Sequence, residues 1–276
     1  MSELLAAARK TSYLITGCSK GIGFGLAQQL LTSSPDSYVV ATCRTPDSSS
    51  DLKTLQSTYG TDRLLVLKLD TTSLDQHKHV VTELASAGIN SIDVFIANAG
   101  ISTPNHPVDP ILSCPEEDMM NVFRTNCVGT MFGLQVFTPL LLAGKSKVVV
   151  LLSSRLASIE QAAGLGGYTS YRASKAALNM LAMTYSEDAA IKESGIVTLC
   201  MHPGWVQTSM GGSGGRKAPV SVDSCVAGIS EQISKSITIR KKLSGPLSAA
   251  TDDPLENALR KNRCVFTAFD GEMLPW

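Results

Sequence analysis

"YLITGCSKGIGFGLAQQLL", residues 13–31, decides the fold. A short apolar run, Tyr13–Thr16, passes through a glycine-rich turn into a segment of helical spacing from Ile22 to Leu31. Four glycines, 17, 21, 23 and 25, stand where a strand hands over to a helix. A helix N-terminus carries unpaired N–H groups and partial positive charge, and glycine lets a phosphate reach them. In Thr16-Gly17-x-x-x-Gly21-x-Gly23, Gly17 permits the tight turn, Gly21 lets backbone approach a pyrophosphate, and Gly23 lets helix pack on strand. Glycines also serve ordinary turns, so this pattern needs its context.

The context is alternation. Strand-like runs recur as "YVVATC" 38–43, "LLVLKLD" 64–70, "IDVFIANAG" 92–100, "KVVVLLSS" 147–154 and "IVTLCMHPG" 196–204, with a last strand near "CVFTAF" 264–269. Between them lie helical periods at Leu74–Ser86, Met119–Leu142, Tyr171–Ile191 and Asp223–Ser234. Continuously apolar strands with helical crossovers predict an α/β fold: a Rossmann-type, doubly wound parallel sheet flanked by helices on both faces. Two stretches read as linkers, "PDSSSD" 46–51 and "GGSGGRKAP" 211–219, and "PLSAATDDPLENALRKN" 246–262 reads as a polar surface excursion. The chain beyond residue 219 is too short for a comfortable second core, so residues 1–276 are expected to form a single domain. Residues 209–219 then read as a loop beside a ligand site.

Lys plus Arg and Asp plus Glu both total 24, which gives no reason to expect a nucleic-acid or membrane partner. The N-terminal "MSELLAAARKTSYLIT" lacks the pattern of a secretory leader, and a cytoplasmic protein is expected. Seven scattered cysteines lack a Cys-x-x-Cys pair, and His77 and His79 read as a solvated pair on a polar helix face, so no metal site is expected.

NAD binding calls for an acidic residue ending the second strand, where it accepts hydrogen bonds from the ribose. Cys43 stands there instead, Arg44 follows it, and Lys20 lies inside the glycine turn. Two cations converging on a 2′-phosphate favour NADP(H) over NAD(H); the alternative is that both are solvated surface charges.

In "GGYTSYRASKAALNML", Tyr171 and Lys175 are four apart and share one helix face. A tyrosine of pKa about 10 needs about 4 kcal/mol of preferential phenolate stabilisation to work near neutrality. Lys175 and an oxidised nicotinamide would each supply part. Tyr168 and Arg172 form a decoy pair nearby. Ser153-Ser154 and Asn98-Ala99-Gly100 end strands, and Asn126 lies in the helix between them, so all can meet at the carboxyl edge of the sheet. His202 reads as a strand residue with a satisfied hydrogen bond, and Glu116-Glu117-Asp118 as charges favouring a helix N-terminus.

On these residues the chain resembles a classical short-chain dehydrogenase/reductase. "YRASKAALN", "HPGWVQTSMGG" and "DGEMLPW" resemble the C-factor and sniffer carbonyl reductase branch. The resemblance implies roles for Ser154 in orienting the carbonyl, Tyr171 in proton transfer, Lys175 in ribose contact and pKa depression, and Asn126 in a water-linked proton relay. It implies cofactor contacts from Gly17, Ser19, Lys20, Gly21, Ile22 and Gly23 in the turn, and from Arg44, Asp70, Asn98, Ala99 and Gly100. It also implies that Pro203 and Gly204, with Val206 and Thr208, hold the carboxamide of the nicotinamide. Asp70 would bind the adenine amino group or, without the family, cap a helix. Ala97 stands where the family often has a first Asn.

The activity implied is hydride transfer between NADP(H) and an aldehyde or ketone, with Tyr171 as proton donor. The rivals are an NAD-dependent alcohol dehydrogenase and a non-catalytic NADP-binding signalling protein. Ser209–Lys217 and Ile101–Pro115 would cover a small carbonyl or alcohol substrate. The long apolar helices Met119–Leu142 and Tyr171–Ile191 imply a homodimer or homotetramer.

Overall fold

The computed structural model describes residues 10–103, 109–164, 166–243 and 251–276. Among them, seven runs form strands β1 (Thr11–Thr16), β2 (Ser37–Cys43), β3 (Leu64–Lys68), β4 (Val94–Ala97), β5 (Val148–Leu152), β6 (Val197–His202) and β7 (Cys264–Ala268). Every pairing is parallel and the order is β3-β2-β1-β4-β5-β6-β7. The chain steps outward from β1 to β3, then crosses back to lay β4 on the other side of β1. Connections leaving β1 and β4 therefore diverge, opening a crevice at the carboxyl ends of the strands.

Helices cover both faces, because adjacent strand residues point to opposite sides. Tyr13, Ile15, Val39, Ala41 and Val150 share a core with α1 (Gly21–Ser33), α2 (Ser50–Tyr59), α8 (Val222–Leu243) and α9 (Pro254–Lys261). Leu14, Val40, Phe95 and Val149 share the other with α3 (Leu74–Ser86), α5 (Gly129–Ala143), α6 (Thr169–Glu187) and α7 (Ala189–Ser194). The doubly wound parallel sandwich expected from the sequence is present.

The local structure differs from expectation in four places. The supposed linker 46–51 is a short 3-10 turn, Pro46–Ser48, running into α2, whose Leu52 and Leu55 are buried. The polar stretch 246–262 contains α9, which docks Leu255 and Leu259 into the core; residues 244–250 lie outside the described set. Polar composition hid both helices, since two apolar residues at a three- or four-residue interval suffice to anchor two turns. The segment 171–191 is two helices, because Asp188 leaves helical geometry and caps α7 through Ala190 N–H at 3.1 Å. Finally, the helix expected at 119–142 begins at Glu116 as α4 (Glu116–Phe123), widens into a π-helical turn at Arg124–Val128, and continues as α5.

That continuous helix, Glu116–Ala143, is long and apolar enough by composition to cross a membrane. Its Leu134, Phe137 and Leu141 instead pack into the core beneath the sheet.

Candidate active site

The glycine turn is held open by neighbours rather than by its own side chains. Gly17 has φ +74°, a left-handed conformation that disfavours a Cβ, and a Cβ there would lie 2.9 Å from Ala99 Cα. A Cβ on Gly23 would run into the Asn98 amide and stand 2.5 Å from Gly17 O. So Gly23 lets α1 close on the turn itself more than on the strand. Asn98 locks this arrangement: its Nδ2 donates to Thr16 O at 2.8 Å and Gly17 O at 3.1 Å. Thr16 Oγ1 in turn accepts from the N–H groups of Asn98 and Ala99 at 3.1 and 3.0 Å. Asn98 and Ala99 thus brace the turn from behind.

The N-terminus of α1 follows Lys20 with no side-chain cap and no acid in its first turn. Its N–H groups and partial positive charge are available to an anion. Cys18 N–H donates to Thr42 O at 2.8 Å, tying the turn to the end of β2 and putting Lys20 and Arg44 each two residues from that bond. Both side chains, like Ser19, are exposed, whereas Ile22 is half-buried against the core. Asp70 Oδ1 accepts from Thr72 N–H at 2.9 Å and Thr72 Oγ1 at 2.8 Å, a local turn before α3, whose cap is Ser73. Partial burial alone would raise the Asp70 pKa, but the Thr72 hydrogen bonds and nearby Arg44 and Arg124 bring it below the ordinary carboxylate value.

The second cluster forms where β4, β5 and α6 meet. Lys175 is 4% exposed and its Nζ donates to Leu152 O at 2.6 Å, at the end of β5. Burial pulls its pKa down to about 8, against a small opposing effect from the Cys200 and Cys127 sulfurs. Asn126, fully buried in the π-helical turn, accepts from Ile101 N–H at 2.8 Å and donates to Ile101 O at 2.8 Å and Ser174 Oγ at 3.0 Å. Ser174 Oγ then donates to Tyr171 O at 2.7 Å. The widened turn displaces Asn126 from an ordinary helical register, a distortion frequent at functional sites. Gly100 lies between them: a Cβ there would stand 3.2 Å from Asn126 Oδ1 and 3.4 Å from Lys175 Nζ.

Ser154 follows β5 and accepts from Leu156 N–H at 3.2 Å, and its side chain is near enough to the Tyr171 phenol to favour the ionised form. The Tyr171 pKa is not depressed by Lys175 as the spacing led one to expect. Burial raises it, and the Ser154 hydrogen bond only partly offsets that. Lys175 contributes little because its ammonium lies over the ring, 5.8 Å from the centroid, with a proton committed to Leu152 O.

The third wall comes from the segment after β6. Gly204 has φ +86°, and a Cβ there would press on Phe269 at 3.0 Å and Val220 at 3.2 Å. Val206 is buried and bridges Val220, and Thr208 Cγ2 stands 3.4 Å from where a Gly21 Cβ would be, so this segment reaches back over the glycine turn. Pro203 begins it. Beyond it, Trp205 Nε1 donates to Gly211 O at 2.8 Å, and the glycine-rich stretch forms a 3-10 turn at Ser213–Gly215.

Two histidines depart from expectation. His77 is fully buried, donating from Nδ1 to Ser73 O at 2.8 Å with its ring against Phe137, while His79 is exposed beside Glu83; they are not a solvated pair. His202 has a buried Nδ1 without a partner among the described residues. Burial, reinforced by Arg155, pushes its pKa down to about 4, so it stays neutral there near pH 7.

Sequence reasoning missed Asp109. This buried carboxylate accepts from Ser170 N–H at 2.9 Å and Ser170 Oγ at 2.6 Å, and its own carbonyl accepts from Thr169 N–H and Oγ1 at 3.1 and 2.8 Å. It docks the loop after β4 onto the first turn of α6. The signal available was one acid in a loop 60 residues away, which spacing cannot pair; residues 104–108 of that loop lie outside the described set.

The sequence profile of the short chain dehydrogenase family matches residues 11–218. The short-chain dehydrogenase RED3 of Pyricularia oryzae is 28% identical, with 98% of this chain and 100% of that protein aligned. Among solved structures, the NADPH-bound carbonyl reductase from chicken fatty liver is 30% identical with a TM-score of 0.79, covering 97% of this chain and 100% of that one. The carbonyl reductase Sniffer of D. melanogaster is 27% identical with a TM-score of 0.78 and the same coverage.

Proposed function

The chain belongs to the short-chain dehydrogenase family, and we propose that it is an NADP(H)-dependent oxidoreductase that reduces an aldehyde or ketone to an alcohol. The cofactor's contribution is the hydride at the nicotinamide. The protein's contribution is to hold cofactor and carbonyl in one crevice and to move a proton.

The reading of Tyr171 as proton donor is supported by one observation above others. Its hydroxyl meets Ser154 while the same helix carries Lys175 and, through Ser174, binds Asn126. A tyrosine with a raised pKa is a fully loaded acid near neutrality, which suits donation to an alkoxide developing on the carbonyl oxygen. Ser154 holds that oxygen beside its donor. Lys175, a partly weakened cation, is assigned to the ribose of the cofactor, and Asn126 holds the relay that restores the proton.

NADP(H) is favoured over NAD(H) by Lys20 and Arg44 and the missing acid at Cys43, and by the NADPH in the chicken enzyme. Asp70 in its Thr72 turn is assigned to the adenine edge, and Gly17, Ser19, Gly21, Ile22 and Gly23 to the diphosphate. Gly100 faces the site, whereas Asn98 and Ala99 act by bracing the turn. Pro203, Gly204, Val206 and Thr208 are assigned to the carboxamide. Residues 209–219 are the lid of this single domain. We read the protein as a cytoplasmic homodimer or homotetramer, with Met120 on α4 and Met180 on α6, 60% and 67% exposed, on the shared face.

The test is NADPH consumption over a panel of aldehydes, ketones, quinones and cyclic diketones, repeated with NADH at equal concentration. Turnover with NADPH supports the reading. Tight NADPH binding without turnover across the panel favours the sensor reading instead, and faster turnover with NADH favours the NAD-dependent alcohol dehydrogenase.

A further inference from the structure

The lid carries a cation whose surroundings are aromatic rather than acidic. Arg216 donates from Nε to Ser213 O at 2.9 Å and from Nη1 to the Tyr168 hydroxyl. Its guanidinium carbon lies 5.5 Å from the centroid of the Tyr168 ring and 5.8 Å from that of Trp205. Among the described residues no carboxylate pairs with it, and its Nη2 has no hydrogen-bond partner. A half-buried guanidinium is stabilised by ring faces, but it keeps donor capacity for a planar anion.

Its position gives that capacity a use. Tyr168 immediately precedes α6 and stands three residues before Tyr171; it holds φ +54°, a strained left-handed value for a non-glycine residue. Trp205 directly follows Pro203 and Gly204, and its indole is fixed to Gly211 in the lid. Arg216 therefore spans two segments, one leading into Tyr171, assigned as proton donor, and the other running on from Pro203 and Gly204, assigned to the nicotinamide.

We propose that Arg216, held between Trp205 and Tyr168, is a specificity-determining residue that binds a carboxylate on an aromatic carbonyl substrate. Trp205 and Tyr168 offer faces for the ring, and the open edge of the guanidinium takes the carboxylate. This rests on the reading of the site as a carbonyl reductase.

The experiment compares kcat/KM for 4-carboxybenzaldehyde with that for its neutral methyl ester, methyl 4-formylbenzoate, in the natural protein, Arg216→Gln and Arg216→Lys. NADPH affinity is followed by fluorescence titration. The natural protein is expected to favour the carboxylate by about tenfold or more. Arg216→Gln collapses the ratio toward one, chiefly through KM, while Arg216→Lys, which keeps the charge but loses the planar fork, retains part of it. The ratio also shrinks as salt rises from about 50 to about 500 mM. A ratio near one in the natural protein, an unchanged ratio in Arg216→Gln, or a loss traced to weaker NADPH binding overturns the assignment. Reduction of both aldehydes without preference leaves the proposed reaction standing while this inference falls; reduction of neither, with no turnover across the wider carbonyl panel, overturns both.

Discussion

The Lys175 ammonium lies over the Tyr171 ring, 5.8 Å from its centroid, while it donates to Leu152 O at 2.6 Å. The two residues share a helix face as their spacing requires, yet burial weakens both charges: the lysine is pulled down to about 8 and the tyrosine pushed up. The protein's own groups therefore set a protonated phenol next to a lysine that titrates close to physiological pH.

This fixes the expected pH dependence. The Lys175 charge is present below about pH 8 and lost above it, so kcat/KM for carbonyl reduction should be flat toward neutrality and decline as pH rises through about 8. Lys175→Arg, whose charge persists, should move that decline to higher pH. For stability the sign is separate: the unfolded chain binds more protons between about 8 and the ordinary 10.5, so the contribution of this site to stability rises over that window. A pH–rate profile with no inflection near 8 in the natural protein would count against the role given to Lys175.

Arg44 should govern cofactor choice. Replacing it with Asp supplies the acid that Cys43 does not, removing a partner for the 2′-phosphate and adding one for ribose hydroxyls. The ratio of kcat/KM with NADPH to that with NADH should fall by about 100-fold, in line with loss of one charge-assisted contact and gain of repulsion. An unchanged ratio would make Arg44 a solvated surface charge.

Gly23→Ala should weaken NADPH binding and stability together. Its Cβ would stand 2.5 Å from Gly17 O and strike the Asn98 amide, so the turn must open. A stability loss of about 1–3 kcal/mol is expected from such overpacking, read by denaturant titration, with NADPH affinity measured in parallel.

Asp109 separates positioning from binding. Asp109→Ala removes the acceptor for Ser170 N–H and Oγ and frees the first turn of α6, just before Tyr171. Loss of such a cap costs about 1 kcal/mol, and kcat should fall by about tenfold while NADPH affinity holds. Asp109→Asn, which keeps a carbonyl acceptor, should recover much of kcat. Equal loss in both variants would point to the charge rather than the cap.

Legibility in the sequence tracks physical range. Every strand was legible, because a parallel sheet buried on both faces needs continuous apolar runs such as "VVVLL" 148–152. The glycine turn and the Tyr171–Lys175 pair were legible because their spacing is local. Helices α2 and α9 were hidden because each anchors on two leucines in a polar run. Asp109, the burial of His202 and the Arg216 clamp were invisible for another reason: they are defined by tertiary neighbours far away in sequence. The direction of the Tyr171 pKa change was not legible, because spacing reveals proximity to a charge but not the burial that opposes it.

The most direct measurement is NADPH oxidation by Tyr171→Phe, using a carbonyl compound that the natural protein reduces and with NADPH affinity titrated on the same sample. The ring and its packing remain and only the proton is removed, so turnover should fall by about 1,000-fold or more while NADPH still binds. Turnover within about tenfold of the natural protein, from a folded and NADPH-binding Tyr171→Phe sample, would contradict the assignment of Tyr171 as proton donor.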